Sequence, residues 1–188
     1  MSNFSSADYK QELDRIKQNS LFKKIVLSTV YTLVTVAAVA VLVAVLFLPV
    51  LRIYGTSMTP TLTEGDYCLS VKGSNFETGD VIAFYYNNKI LVKRVIANAG
   101  DWVNIDDQGN VYVNNVILDE PYIQEKAFGD CNISLPYQVP ENKIFVMGDL
   151  RSTSVDSRNT AVGCVADEQI VGKILFTVWP FKHFGKVK

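Results

Sequence analysis

One uncharged run constrains this chain more than any other feature. Residues 25–50 read IVLSTVYTLVTVAAVAVLVAVLFLPV, without a single Asp, Glu, Lys or Arg. About 20 apolar residues in a helix cross the roughly 30 Å hydrocarbon core of a bilayer, so the run predicts one transmembrane helix. A cleavable signal peptide is the competing reading, but its apolar region spans about 7–15 residues and ends at a small-residue cleavage site. Here the run is longer, and Leu48-Pro49-Val50-Leu51-Arg52 offers no Ala-x-Ala pattern. Flanking cations resist translocation; Lys10, Arg15, Lys17, Lys23 and Lys24 precede the run, and only Arg52 follows closely. The expected organisation is a cytoplasmic tail at 1–24, an anchor at 25–50 and an exported domain at 51–188. That places the chain in the plasma membrane as a single-pass protein with the lipid bilayer as a partner. The tail, with mixed charge and helical spacing, reads as a short solvated helix.

Beyond the run, the apolar period changes from that of a helix to that of a strand. Val81–Tyr86 and Ile90–Ala97 are rich in β-branched and aromatic residues and flank Asn87-Asn88, a good turn pair. Val103 and Ile105 alternate with polar residues, Asp107–Asn110 supplies a turn, and Val111–Val113 returns as the partner strand. Lys143–Asp149 and Gln169–Pro180 read as two further strands. The fold class is therefore mainly β: an antiparallel domain with a hairpin-rich insertion near 102–142, preceded by one transmembrane helix. The net charge of −1 lacks the concentrated basic patch of a nucleic-acid binder. Cys68, Cys131 and Cys164 show no CxxC spacing, and with one histidine there is no credible metal site. The cysteines read as small apolar residues of a β core, a disulfide between two of them being the alternative.

Three segments carry polar residues that packing does not explain. The first, Tyr54–Leu62, holds Ser57 in a loop punctuated by Gly55 and Pro60. In the second, Leu91–Ile96, two cations interrupt an apolar strand. Alternation puts Leu91, Lys93 and Val95 on one face and Val92, Arg94 and Ile96 on the other, so at least one cation should be partly buried. The third is the polar loop Gly148–Arg158. Each alone fits a solvated loop or a local ion pair. Together they suggest a nucleophile with a base, because a serine hydroxyl attacks only when a neighbour accepts its proton. His183, the only histidine, lies near the C-terminus among bulky aromatics and reads as a surface or membrane-interface residue. A lysine acts as a base only when neutral, and desolvation lowers its pKa of about 10.4 by several units. Lys93, between Leu91 and Val95 on its strand face, is best placed for that; Lys89, in the turn, should be solvated.

The segments GTSMTPTL, GDVIAF, LVKRVIANAGD and MGDLRSTSVDSRNTAVG resemble, in order, the boxes of bacterial-type type I signal peptidases, and they cover most of residues 51–175. The resemblance implies a cofactor-independent serine endopeptidase that removes signal peptides from preproteins through an acyl-enzyme. Ser57 would be the nucleophile and Lys93 the general base. Ser154 would orient the lysine amine, Asp156 and Arg158 would form a loop-holding salt bridge, and Asp149 and Arg151 fall on structural positions. Where some relatives carry a serine two residues before the nucleophile, this chain has Gly55, as in the Gram-positive-like branch, so the oxyanion hole relies on backbone N–H groups, including that of Ser57. Leu150 stands where asparagine is common. Substrate is expected to add as a strand along a free edge at Asp80, Val81, Ile82, Ala83 and Phe84. Trp179, Phe181 and Phe184 suit a membrane interface, with core packing an equal reading for Trp179. Two other readings remain: a self-cleaving Ser/Lys regulator of the LexA-like kind, and a membrane-anchored β binding module.

Overall fold

The computed structural model describes residues 6–73 and 75–187. Helix α1 runs from Ser6 to Phe47, 42 residues, or about 63 Å at 1.5 Å per residue. The tail and the apolar run are therefore one element rather than a short helix followed by a span. No glycine or proline interrupts residues 6–47, so nothing breaks the i to i−4 ladder. The helix stops ahead of Pro49, because the residue before a proline is pushed out of the α region. Val50, the last residue of the apolar run, already belongs to the first strand. Arg15–Val45 is long and apolar enough to cross a bilayer. Within it the hydroxyls of Thr29, Thr32 and Thr35 donate to the carbonyls of Ile25, Ser28 and Tyr31 at 2.9, 2.9 and 2.8 Å. In hydrocarbon such hydroxyls would have no other acceptor.

From Phe47 onward the chain is a second unit, whose regular elements are almost all strands. These are β1 (Val50–Arg52), β2 (Tyr67–Val71), β3 (Val81–Tyr86), β4 (Lys89–Ala97), β5 (Trp102–Ile105) and β6 (Val111–Val113). They continue with β7 (Val116–Ile117), β8 (Tyr137–Gln138), β9 (Lys143–Met147), β10 (Val165–Ala166), β11 (Ile170–Trp179) and β12 (Gly185–Lys186). All pairings are antiparallel, in the mainly β architecture that the alternation predicts. One sheet has the order β1-β2-β11-β3-β4-β9-β10 with β12 against β11, and a second has the order β7-β6-β5-β8. The β3–β4 hairpin closes over Asn87-Asn88 with Tyr86 opposite Lys89. Asn87 takes φ +51°, a left-handed conformation that asparagine tolerates.

Strand β3 lies inside the sheet, hydrogen-bonded to β11 on one side and β4 on the other. Val81 and Ala83 pack with Ile53, Met58, Leu62, Cys68 and Ile174 on one face; Ile82 and Phe84 pack with Val95, Ile144, Val146 and Val165 on the other. The expected free edge at Asp80–Phe84 is thus overturned. A strand buried on both faces reads as a continuous apolar run, and such a run does not reveal whether its edges are paired. A third cluster joins Ile96, Ala97, Phe145 and Met147 to Val103, Ile105, Val111 and Val139 of the smaller sheet and its loops. Of the three cysteines only Cys68 is fully buried; Cys131 and Cys164 are half-buried in loops. Trp179 is exposed, stacked edge-on against Phe181 at 4.8 Å, so the core-packing reading does not hold.

Loop 148–158 is held by ion pairs that water does not reach. The Arg158 side chain donates to Asp156 from Nε and Nη2, both at 2.9 Å, and neither side chain is exposed. Asp156 also accepts the Gly148 N–H at 3.0 Å. Removing one partner strands a buried charge, a loss of about 3–5 kcal/mol, whereas a solvent-exposed pair contributes roughly 0–1 kcal/mol. We therefore expect Asp156→Ala to lower unfolding stability by about 3–5 kcal/mol. Loss of the partly exposed Lys173–Asp80 pair through Lys173→Ala should cost under about 1 kcal/mol. Trp102 and Trp179, the two tryptophans, both lie in the β unit, so urea titration followed by fluorescence reads this difference without interference from α1.

Candidate active site

Ser57 stands in the loop between β1 and β2, and the hydrophobic residues after it set its place. Met58 and Leu62 are buried at 2% and 0% exposure, which pins the loop to the core while Ser57 stays half-open. A turn forms where the Leu62 N–H donates to Met58 O at 2.9 Å, and the loop's ends are tied by Ile53 N–H to Asp66 O at 2.8 Å. Gly55 takes φ +80° with open space around it. Backbone conformation thus favours glycine two residues before Ser57. Among the described residues the Ser57 N–H has no acceptor within the protein.

Lys93 lies on β4 opposite Ile82 and is only 3% exposed. Its Nζ donates to Ser57 Oγ at 2.6 Å. Burial pulls the amine down from 10.5 to about 8; Asp156 pushes it up, Arg158 down, and Asp149 up again. Arg94, on the opposite strand face, is also fully buried, so alternation hides both cations rather than one. Lys89 is exposed. Arg94 donates from Nε and Nη2 to the two carboxylate oxygens of Asp149 at 2.8 and 2.6 Å, and from Nη1 to Gly79 O at 2.7 Å. Thr61 Oγ1 bridges this pair, donating to Asp149 at 2.5 Å and accepting from Arg94 Nη2 at 3.1 Å.

The polar loop meets the serine through its backbone. The Leu150 N–H donates to Ser57 O at 3.0 Å. A side chain at Gly148 would meet Ser154 Oγ at 2.2 Å and Ser57 O at 2.6 Å, so only glycine allows this approach. Ser154 differs from the expectation. Its hydroxyl is fully buried beside Gly148 and makes no hydrogen bond to Lys93 or to any other group among the described residues. Position in a motif does not settle a hydroxyl's direction. Asp156 and Arg158 pair as described. Arg151 pairs with Glu120 from the segment after β7, a partner outside the four boxes. His183 Nδ1 bonds Asp66 Oδ1 at 2.8 Å and Thr63 Oγ1 at 3.2 Å, which directs it away from the role of base to Ser57. Burial pushes the Cys68 and Cys164 thiols up, leaving neither a ready nucleophile.

A groove of about 700 Å³ opens over Ser57 and Lys93. Val50–Gly55 form one wall and Asn88–Val92 the other. Among the described residues β1 pairs with β2 alone, and β4 pairs with β9 only from Arg94 onward. Both walls thus present unpaired strand edges toward the groove. The sequence concealed this site because β1 continues the apolar run and because edges arise from pairing between distant segments.

A family model described as "Signal peptidase, peptidase S26" matches residues 26–179. Signal peptidase I of Bacillus licheniformis is 34% identical, covering 94% of this chain and 98% of its own length. Signal peptidase IB of Staphylococcus aureus is 37% identical over 70% of this chain and 78% of its own. Thylakoidal processing peptidase 1, chloroplastic, of Arabidopsis thaliana is 34% identical over 77% of this chain, which spans only 47% of that relative. On the match across most of its length and on these relatives, the chain belongs to the peptidase S26 family of signal peptidases.

Proposed function

We propose that this protein is a membrane-anchored endopeptidase that removes signal peptides from exported preproteins, with Ser57 as nucleophile and Lys93 as general base. The observation that carries the reading is the 2.6 Å contact between Lys93 Nζ and Ser57 Oγ in a site that buries the amine. A base works best with a pKa near the operating pH, and about 8 leaves a substantial neutral fraction there. As Ser57 Oγ attacks the scissile carbonyl carbon, its proton passes to Lys93. The oxyanion faces backbone donors, the free Ser57 N–H among them. Collapse breaks the peptide C–N bond, and Lys93 returns the proton to the leaving amine. Lys93 then takes a proton from the water that attacks the ester carbonyl, and returns it to Ser57 Oγ as the acyl C–Oγ bond breaks.

The groove suits an extended peptide. A segment lying between β1 and the first half of β4 pairs its backbone with both open edges, the geometry of strand addition. Substrate binding is therefore assigned to Leu51–Gly55 and Ile90–Val92 in place of Asp80–Phe84. In this reading α1 anchors the protein with its cation-rich N-terminus in the cytoplasm and the β unit outside. Family resemblance supplies the preference for small residues at the first and third positions before the cut.

Cleavage of a preprotein by the detergent-solubilised full chain tests the reading. Wild type should cut at one site; Ser57→Ala, Lys93→Ala and Lys93→Arg should cut at least about 10³-fold more slowly, because a guanidinium stays protonated. His183→Ala should keep most activity. Binding without cleavage by wild type would favour the binding module, and wild-type rates in Ser57→Ala would remove the nucleophile. The activity should rise with pH through a midpoint near 8, since the neutral amine is the active form. Replacing alanine by leucine at the first position before the cut should abolish processing; equal rates for both residues contradict a small-residue pocket.

A further inference from the structure

Behind Lys93, part of the supporting network comes from the segment between β7 and β8, which lies outside the four sequence boxes. The Tyr122 ring centre lies 3.8 Å from the Arg94 guanidinium carbon, a stacked cation–π arrangement. Its hydroxyl donates to Glu120 Oε1 at 3.1 Å. Glu120 also receives Arg151 Nη1 at 3.0 Å, with Nη2 in closer contact still. Glu120-Pro121-Tyr122 therefore holds two arginines at once, and the proline restricts the backbone between the two contacts. One of those arginines neutralises Asp149 through two hydrogen bonds. Asp149 sits between Gly148, packed on Ser57 O, and Leu150, whose N–H holds that same carbonyl.

We infer that Tyr122 is a positioning residue for the Ser57–Lys93 pair: its ring holds Arg94 against Asp149 and so limits how strongly the Asp149 charge acts on the Lys93 amine. The inference rests on the proposed dyad. The groups acting on Lys93 are Ser57 by contact and Asp156, Arg158 and Asp149 by charge; those around Tyr122 are Arg94, Glu120 and Arg151. Burial and then Glu120 push the Tyr122 phenol up, so it stays neutral and works through its ring. With the ring gone, Arg94 moves more freely, water reaches the pair, and Asp149 acts more strongly on Lys93. Both changes stabilise the ammonium.

The test is the pH dependence of kcat and KM for the full chain in detergent, with a quenched peptide carrying alanine at the first and third positions before its cleavage site. Tyr122→Phe keeps the ring, and its midpoint should stay at the wild-type value. Tyr122→Leu should raise the midpoint by about one pH unit, read as roughly tenfold lower kcat/KM at neutral pH. KM should be unchanged, because Tyr122 does not line the groove. If the leucine variant fails to fold, Tyr122→Met carries the same expectation. A folded leucine or methionine variant with the wild-type midpoint overturns the inference, even if its melting temperature falls. So does a phenylalanine variant that shifts as far as leucine. Activity in the Ser57→Ala control would instead overturn the dyad itself, whatever the Tyr122 variants do.

Discussion

Burial of a lysine amine beside a serine hydroxyl is the constraint around which this β unit is arranged. Lys93 sits on a strand whose neighbours are apolar, with Ile82 opposite it, and desolvation is the largest influence on its proton affinity. A charged amine in such a place is destabilising unless something compensates. Part of the compensation is charge at a distance, from Asp156 and Asp149. The rest is the tendency of the amine to become neutral. The environment that makes Lys93 costly to bury therefore also suits it to accept a proton.

Each of the surrounding buried carboxylates is paired with an arginine. Arg94 with Asp149, Arg158 with Asp156 and Arg151 with Glu120 are all buried ion pairs. Buried pairs contribute modestly to net stability compared with apolar packing, but breaking one is expensive. Their geometry accordingly leaves the loops around the dyad few alternatives. Gly148 allows the loop after β9 to touch the backbone of Ser57, and the Leu150 N–H secures that contact. The proposed nucleophile and base thus arrive from separate segments, and a third segment holds the backbone of Ser57.

Substrate access follows from incomplete sheets. β4 spans nine residues, yet β9 covers only its second half. The first half and β1 leave their backbone groups available across the groove, where, in the proposed reading, a peptide strand would complete the hydrogen bonding. Both walls end at Ser57 and Lys93, so a peptide bound as proposed would have its backbone carried to Ser57.

The sequence by itself determined the apolar part of the helix, though not its continuity with the tail, the class of the domain, and the serine and lysine that the structure brings into contact. Periodicity needs only local spacing, so a charge-free run and alternating strands are visible before folding. Ser57 and Lys93 were legible because they sit in compact boxes and because a lysine within an apolar strand face calls for an explanation. Only the tertiary structure decided which strand edges are open. It moved the proposed groove from β3, which has a strand on each side, to β1 and the start of β4, left Ser154 Oγ without a partner among the described residues, and brought Glu120 and Tyr122 to Arg151 and Arg94. Pairing, hydroxyl orientation and ion-pair choice depend on which distant segments become neighbours, and alternation along one segment holds no information about its neighbour across the sheet.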